Sequence, residues 1–368
     1  IGQDPSKSWN RAIHALGQAI ATAPKFPWAV NDLGLVYQER AQWLVSKSLD
    51  PEPDFKLAIS SFRKAIDIHP EYISAYNNLV LTYASFAQYQ VAHGRDVSKQ
   101  LQEASRAAEN ASAISKSIPN LRNNLALAKL QMAKYLLDTK QDPSVLLTDA
   151  EKDLAASREI NPNDDVNSFV HGSAMLLAAK YQLLQRKSPT LFLQTGQADV
   201  QRVVEKPSEA DFHLLACRLR LVETEWARQQ GHPTTMPLRL ALADARRAVS
   251  LSPTSADALT ELARVLLAQS VATPPRPLLR SLTEALSATD RALSLQNDLP
   301  QGHAIRGALL LRKAEQLVST DEKQRMLQSA EESLARAWAQ NPLLRHDYES
   351  DRRRVASLLT QKPVQERR

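Results

Sequence analysis

The chain has a single cysteine, Cys217, in 368 residues, which excludes an internal disulfide and any multi-cysteine metal site. Cys217 lies in the apolar run Leu214-Leu-Ala-Cys-Arg-Leu and reads as a small core residue, with no histidine spaced to activate it. Glycine is scarce at 9 and aromatic residues make up 5%. No stretch alternates apolar and polar residues for long enough to build a sheet. No apolar run approaches the ~18 residues a membrane helix needs. The eight histidines are scattered, and none stands three or four residues from another on a helix, so neither a zinc site nor any other cofactor is expected. The chain opens at Ile1-Gly2 without a signal peptide or an initiating Met, and it reads as a cytoplasmic piece of a longer protein.

What is abundant is Ala, Leu, Gln, Arg and Glu, residues that lose little side-chain freedom in a helix. Their spacing is helical. In the stretch Trp28 to Pro70, the positions Leu33, Tyr37, Ala41 and Leu44 recur at threes and fours, as do Ala58, Phe62, Ala65 and Ile66. Each half therefore buries one stripe. Small residues at Gly34, Ala58 and Ala65 let two helices approach, Leu33, Tyr37 and Phe62 fill the space between them, and Pro70 ends the second helix.

The pair recurs along the chain. The second-half signature Ala-x3-Leu/Phe-x2-Ala-x4-Pro appears at Ala12–Pro24, Ala58–Pro70 and Ala330–Pro342, with Ala245 in the central position at Ala241–Pro253, and with Ser157 for alanine at Ala150–Pro162. Stops at 24, 70, 119, 162, 207, 253, 297 and 342 set a period in the middle forties. Turn chemistry separates the halves: Asp50-Pro51, Gly94-Arg95-Asp96, Asp142-Pro143, Gly231-His232-Pro233 and Pro274-Pro275-Arg276-Pro277, with Asp suited to cap the next helix and Pro to its first turn. The segment Pro189 to Lys206 departs from the pattern, and Gly196 predicts a broken helix there.

This pattern resembles the tetratricopeptide repeat (TPR), lengthened between its two helices by about two turns. The resemblance implies an all-α, right-handed α-solenoid of about seven extended, ~45-residue helix pairs over residues 1–342, a capping helix over 343–362 and a tail over 363–368. The Phe86-Ala-Gln-Tyr-Gln-Val-Ala-His-Gly-Arg-Asp96 tract is similar to the extended arrays that follow the catalytic domain in certain bacterial serine/threonine kinases. No kinase catalytic motif lies within the chain, which implies a noncatalytic scaffold.

Asn31, Asn77 and Asn123 stand at one helical position in three successive units, with Asp32, Asn78 and Asn124 beside them. In TPR proteins this edge lines the concave face, so the resemblance implies an amide ladder for a peptide or partner domain, with Asn31, Asn77, Asn78, Asn123 and Asn124 as its members. The same amides serve equally well to fasten neighbouring helices. Leu35 and Leu81 occupy places where carboxylate-clamping members carry polar residues, which argues against a carboxylate clamp. A nucleic-acid-binding solenoid is the rival reading, raised by a pI of about 9.3 and by Arg352-Arg353-Arg354. The charge distribution argues against nucleic acid. Residues 343–368 hold seven Lys/Arg against four acids, half of the net +6, so no continuous basic track runs along the repeats. The five tryptophans are expected in packing between repeats.

Overall fold

The computed structural model describes residues 5–115, 118–204, 210–272 and 279–360. These residues form an all-α protein of TPR-like helical repeats, with no strand among them. After α1 (Ser6–Thr22) the helices alternate in pairs: α2 (Pro27–Ser46) with α3 (Glu52–Ile68), α4 (Ile73–Ala92) with α5 (Ser98–Ile114), and α6 (Pro119–Asp138) with α7 (Ser144–Ile160). Next come α8 (Asp165–Leu184) and α9 (Thr190–Val204), α10 (Ala210–Gln229) and α11 (Thr235–Leu251), and α12 (Ala256–Ala272) and α13 (Leu279–Leu295). Helices α14 (Pro300–Ala314) and α15 (Thr320–Gln340) precede a short 3-10 turn, Pro342–Leu344, and α16 (Arg345–Thr360), which packs on α14 and α15 through Val355 and Leu358. The chain divides into two compact units, 1–177 and 178–368.

The period is written in the turns. Two residues past the ends of α2, α4, α6, α8 and α10 the chain takes a left-handed conformation, at Ser48, Gly94, Lys140, Arg186 and Gly231, with φ between 55° and 69°. In each case the following N–H bonds a carbonyl five residues back, as in Leu49 to Leu44, Arg95 to Gln90 and Gln141 to Leu136. This is the closure that satisfies orphan carbonyls at a helix end. Two residues after the left-handed position, Asp50, Asp96 and Asp142 accept the N–H of Glu52, Ser98 and Ser144 at 2.8 to 3.0 Å. The bonds from the Ser98 hydroxyl and backbone hold the Asp96 carboxyl below its ordinary range.

Two sequence expectations are corrected here. Pro119 does not stop α5, which ends at Ile114; it is the first residue of α6, where its missing N–H is one of the orphans anyway. Gly196 does not break α9, which runs unbroken from Thr190 to Val204. Glycine lowers helix propensity by only about 1 kcal/mol, and Gly196 is buried, where tertiary packing outweighs that cost. Asp54 is buried within α3 and paired with Arg40 of α2, whose Nε lies 2.9 Å from its Oδ1. The stop at Pro207, the turn Pro274–Pro277 and the tail 363–368 lie outside the described residues.

Within each unit the first helices pack on one another in succession, α2 on α4 on α6 and α10 on α12 on α14. The second helices splay apart. Between α3 and α5 lies a cleft of about 550 Å³ floored by Tyr83 and Phe86 of α4, and Arg63 spans it, donating to the Tyr83 hydroxyl and to Glu103, both at 2.7 Å. The face built by first helices is thus continuous, while the second-helix face is bridged by its own charged side chains.

Candidate interaction face

The amides identified in the sequence meet across successive repeats. Asn78 donates to Asn31 at 3.0 Å, Asn124 to Asn77 at 3.0 Å, and Asn167, which sequence reading did not single out, to Asn123 at 3.0 Å. Asn123 donates in turn to Asp164 at 2.7 Å, and Asn31 to Asp32 at 3.3 Å. Thr82 bonds Gln38 across the same seam at 2.9 Å. Asn31, Asn123, Asn124 and Asn167 are buried, while Asn77 and Asn78 are half-buried. A buried amide left without partners would cost about 1 to 3 kcal/mol, so the ladder fixes the register between first helices. Each link uses one donor and one acceptor, and Asn77 and Asn78 retain further N–H groups at the surface.

One turn beyond each amide lies a leucine: Leu35, Leu81 and Leu127, at intervals of 46 residues. Leu35 is 36% exposed, and Leu81 and Leu127 are half-buried. They belong to stripes of α2 (Trp28, Asp32, Leu35, Glu39), α4 (Ser74, Asn78, Leu81, Ser85) and α6 (Asn120, Asn124, Leu127, Gln131), each at the three- and four-residue steps of one helix face; the α2 stripe is the most exposed, while on α6 Asn124 is buried and Leu127 packs partly on the core. The face is therefore a grid. A central apolar row is flanked by a row of Asp32, Asn78 and Asn124 and by a row of Glu39, Ser85 and Gln131.

The corner of this grid on α2 is aromatic. Trp28 is 48% exposed and Phe26 47%, which corrects the expectation that the tryptophans serve packing alone. The Trp28 ring lies 5.2 Å from Phe26, 5.7 Å from Tyr72 and 6.3 Å from His69, centroid to centroid. Asp32 lies one turn after Trp28 on the same face of α2, and burial first, then the charge of Asp32, raises the pKa of the Tyr72 hydroxyl. Other tryptophans do pack between helices: Trp9 and Trp43 meet edge to face at 5.3 Å, and Trp338 is buried.

In residues 178–368 one position on a first helix replaces amide with charge. Glu261 of α12 is buried and accepts from Arg218 of α10 at 2.9 Å, with Arg264 Nε 3.2 Å from its other oxygen. Burial alone would raise the Glu261 carboxyl, but Arg264 and Arg218 outweigh it and hold the pKa at about 2. The arginine triple is occupied as well: Arg352 stacks 4.2 Å over the Trp338 ring and pairs with Glu331 at 2.7 Å, Arg353 pairs with Glu349 at 2.9 Å, and Arg354 with Glu315 at 2.8 Å. Cys217 is fully buried and its thiol is pushed far above the ordinary range, chiefly by burial. No group of three or more metal-binding side chains occurs among the described residues, and no helix there is long and apolar enough to cross a membrane.

No protein-family model and no curated protein matches the chain. Among solved structures it is similar to a human IFIT1 dimer with m7Gppp-AAAA, at 14% identity over 99% of this chain and 75% of that one, with a TM-score of 0.49. The same dimer with PPP-AAAA gives 14% identity, 99% and 74% coverage, and a TM-score of 0.47. YrrB, a TPR protein with an unusual peptide-binding site, matches at 14% identity over 78% of this chain and 95% of that one, with a TM-score of 0.27.

Proposed function

We propose that this chain is a noncatalytic interaction scaffold that holds an extended peptide, or an extended segment of a partner domain, on the first-helix face of residues 1–177. The observation that carries this reading is the row Leu35, Leu81 and Leu127 at regular intervals on a face otherwise polar, with Leu35 exposed and Leu81 and Leu127 half-buried. Packed helices stand about 8–10 Å apart, and a chain in the extended polyproline-II conformation advances about 3.1 Å per residue with about three residues per turn, so a peptide crossing the row turns a side chain toward a leucine about every third residue. Asn77 and Asn78 are placed to bond its main chain, while Asn31, Asn123 and Asn124 keep the helices in register.

The terminal arginines are drawn into ion pairs, which favours a protein ligand over a nucleic acid. The finer proposal, a cytoplasmic regulatory region of a bacterial serine/threonine kinase, rests on the loop style of Phe86–Asp96. Finding a kinase domain in the same polypeptide as this array would test it.

The scaffold reading is tested by selecting binders from a randomised twelve-residue peptide library on the intact chain. Enriched peptides are expected to share apolar residues at three-residue steps and to lose about tenfold in affinity on Leu81→Ser. Lys64→Ser, on the second-helix face, should change nothing. No enrichment, or salt-sensitive binding of single-stranded RNA in its place, would overturn it.

A further inference from the structure

The α2 end of the leucine row differs from the α4 and α6 ends in charge and in aromatic surface. Asp32 and Glu39 are exposed on the same stripe as Trp28 and Leu35, and neither forms an ion pair. The one basic residue of α2, Arg40, is turned away to Asp54. The facing stripe of α4 carries no charge at all, and on α6 Lys134 is neutralised by Asp138 at 2.5 Å. On a chain of net charge +6, this face therefore bears an uncompensated charge of two acids beside a half-exposed indole.

The chemistry that complements such a corner is a cation with an apolar neighbour. A lysine or arginine side chain laid on the open face of Trp28 gains the attraction of the ring and reaches the Asp32 carboxylate one turn on. Glu39 lies two helical turns further, about 10 Å along the axis at 1.5 Å per residue, and draws cationic segments toward the same end. Asn78 and Asn124, at the Asp32 position on α4 and α6, are neutral, so the preference for charge is confined to one end of the row.

We infer that the partner segment is a basic, amphipathic one that sets a Lys or Arg in the Trp28–Asp32 corner, within the field of Glu39, and places apolar side chains on Leu81 and Leu127 at three-residue steps. This rests on the scaffold reading above and adds the chemical class and direction of its ligand: the basic end lies over α2.

Two fluorescein-labelled nonapeptides of serine test it by anisotropy against the intact chain. One carries a lysine followed by two leucines at three-residue spacings, and the other has glutamate in place of the lysine. The lysine peptide is expected to bind about tenfold more tightly, a cation–π contact and one ion pair together being of that size. Asp32→Asn with Glu39→Gln should erase the difference, and Trp28→Ala should weaken the lysine peptide alone. All three positions are exposed, so helicity should stay unchanged. Equal binding of the two peptides, with both lost on Leu81→Ser, would overturn the basic corner and leave the apolar row standing. If neither peptide binds, both readings fall.

Discussion

Gly34 of α2 faces the ring of Phe62 of α3 so closely that a side-chain carbon at position 34 would lie 2.6 Å from Phe62 Cε1. The contact recurs at the far end of the chain, where a carbon on Gly307 of α14 would lie 2.6 Å from Leu334 Cγ of α15. In both pairs the glycine sets how near the two helices come, and the large residue of the second helix fills the groove it leaves. Phe62 and Leu334 are wholly buried, so neither has room to yield.

Gly34→Ala should therefore destabilise the protein by about 1–3 kcal/mol, the usual cost of overpacking a tight core. Gly17→Ala is the control: Gly17 sits on the exposed face of α1 with nothing within 4 Å. The change there should raise stability by about 0.5–1 kcal/mol through helix propensity. Urea midpoints of the two variants should move in opposite directions.

The turn residues lead to a second prediction. Lys140 occupies the left-handed position with φ 61°, where the equivalent residue one repeat earlier is Gly94 at φ 67°. A side-chain-bearing residue strains this conformation. Lys140→Gly should stabilise by about 0.5–1 kcal/mol, and Gly94→Ala should destabilise by about 1 kcal/mol. Thermal melts of the two single variants against the parent chain decide it; a Lys140→Gly variant with a lowered midpoint would contradict the reading.

Asn123 and Asn167 give a third. Both are 1% exposed and bonded to each other; Asn123 also donates to Asp164, and Asn167 donates to the Leu154 carbonyl and accepts from Arg158 Nε at 3.2 Å. Removing either leaves a buried amide partly unsatisfied, so each single alanine variant should cost about 1–3 kcal/mol. The double variant should cost less than the two singles added, because the second change removes a group already orphaned. Additive losses in denaturant titration would mean that the two side chains act independently.

Local rules carried much of the architecture from sequence alone. The Ala-x3-Phe-x2-Ala-x4-Pro signature and the approach of Gly34 to Phe62 follow from volume and helical period, and the Asp caps follow from turn chemistry within three residues. The ladder's connections were not legible, because Asn78 to Asn31 and Asn124 to Asn77 each join residues 47 positions apart and depend on the stacking register. The leucine row was hidden for a different reason: a leucine on an amphipathic helix reads as core, and only the structure shows Leu35 exposed and Leu81 and Leu127 half-buried. Pro119 and Gly196 misled because each residue has two uses, stop or start for proline, break or close packing for glycine, and tertiary contacts select between them.

The last prediction concerns acid. The Glu261 carboxyl titrates at about 2 in the folded protein against an ordinary value of 4.5, so the native state holds this group ionised more strongly than the unfolded chain does. A depressed acid contributes stability that is fully present above the unfolded value and is lost as pH falls through the folded one. The contribution is on the order of 3 kcal/mol at neutral pH, given 1.36 kcal/mol per pK unit, and the side chain is shielded enough, at 6% exposure, for that to apply. The window is from about pH 4.5 down to about pH 2. Glu261→Gln should weaken the protein at pH 7 by about 3–5 kcal/mol, since it strands Arg218 and Arg264 around a neutral amide. Its stability should then decline less steeply than the parent's between pH 4.5 and 2. Urea titrations at several pH values across that window measure both slopes, and parallel curves would show that the acid sensitivity resides in other carboxylates.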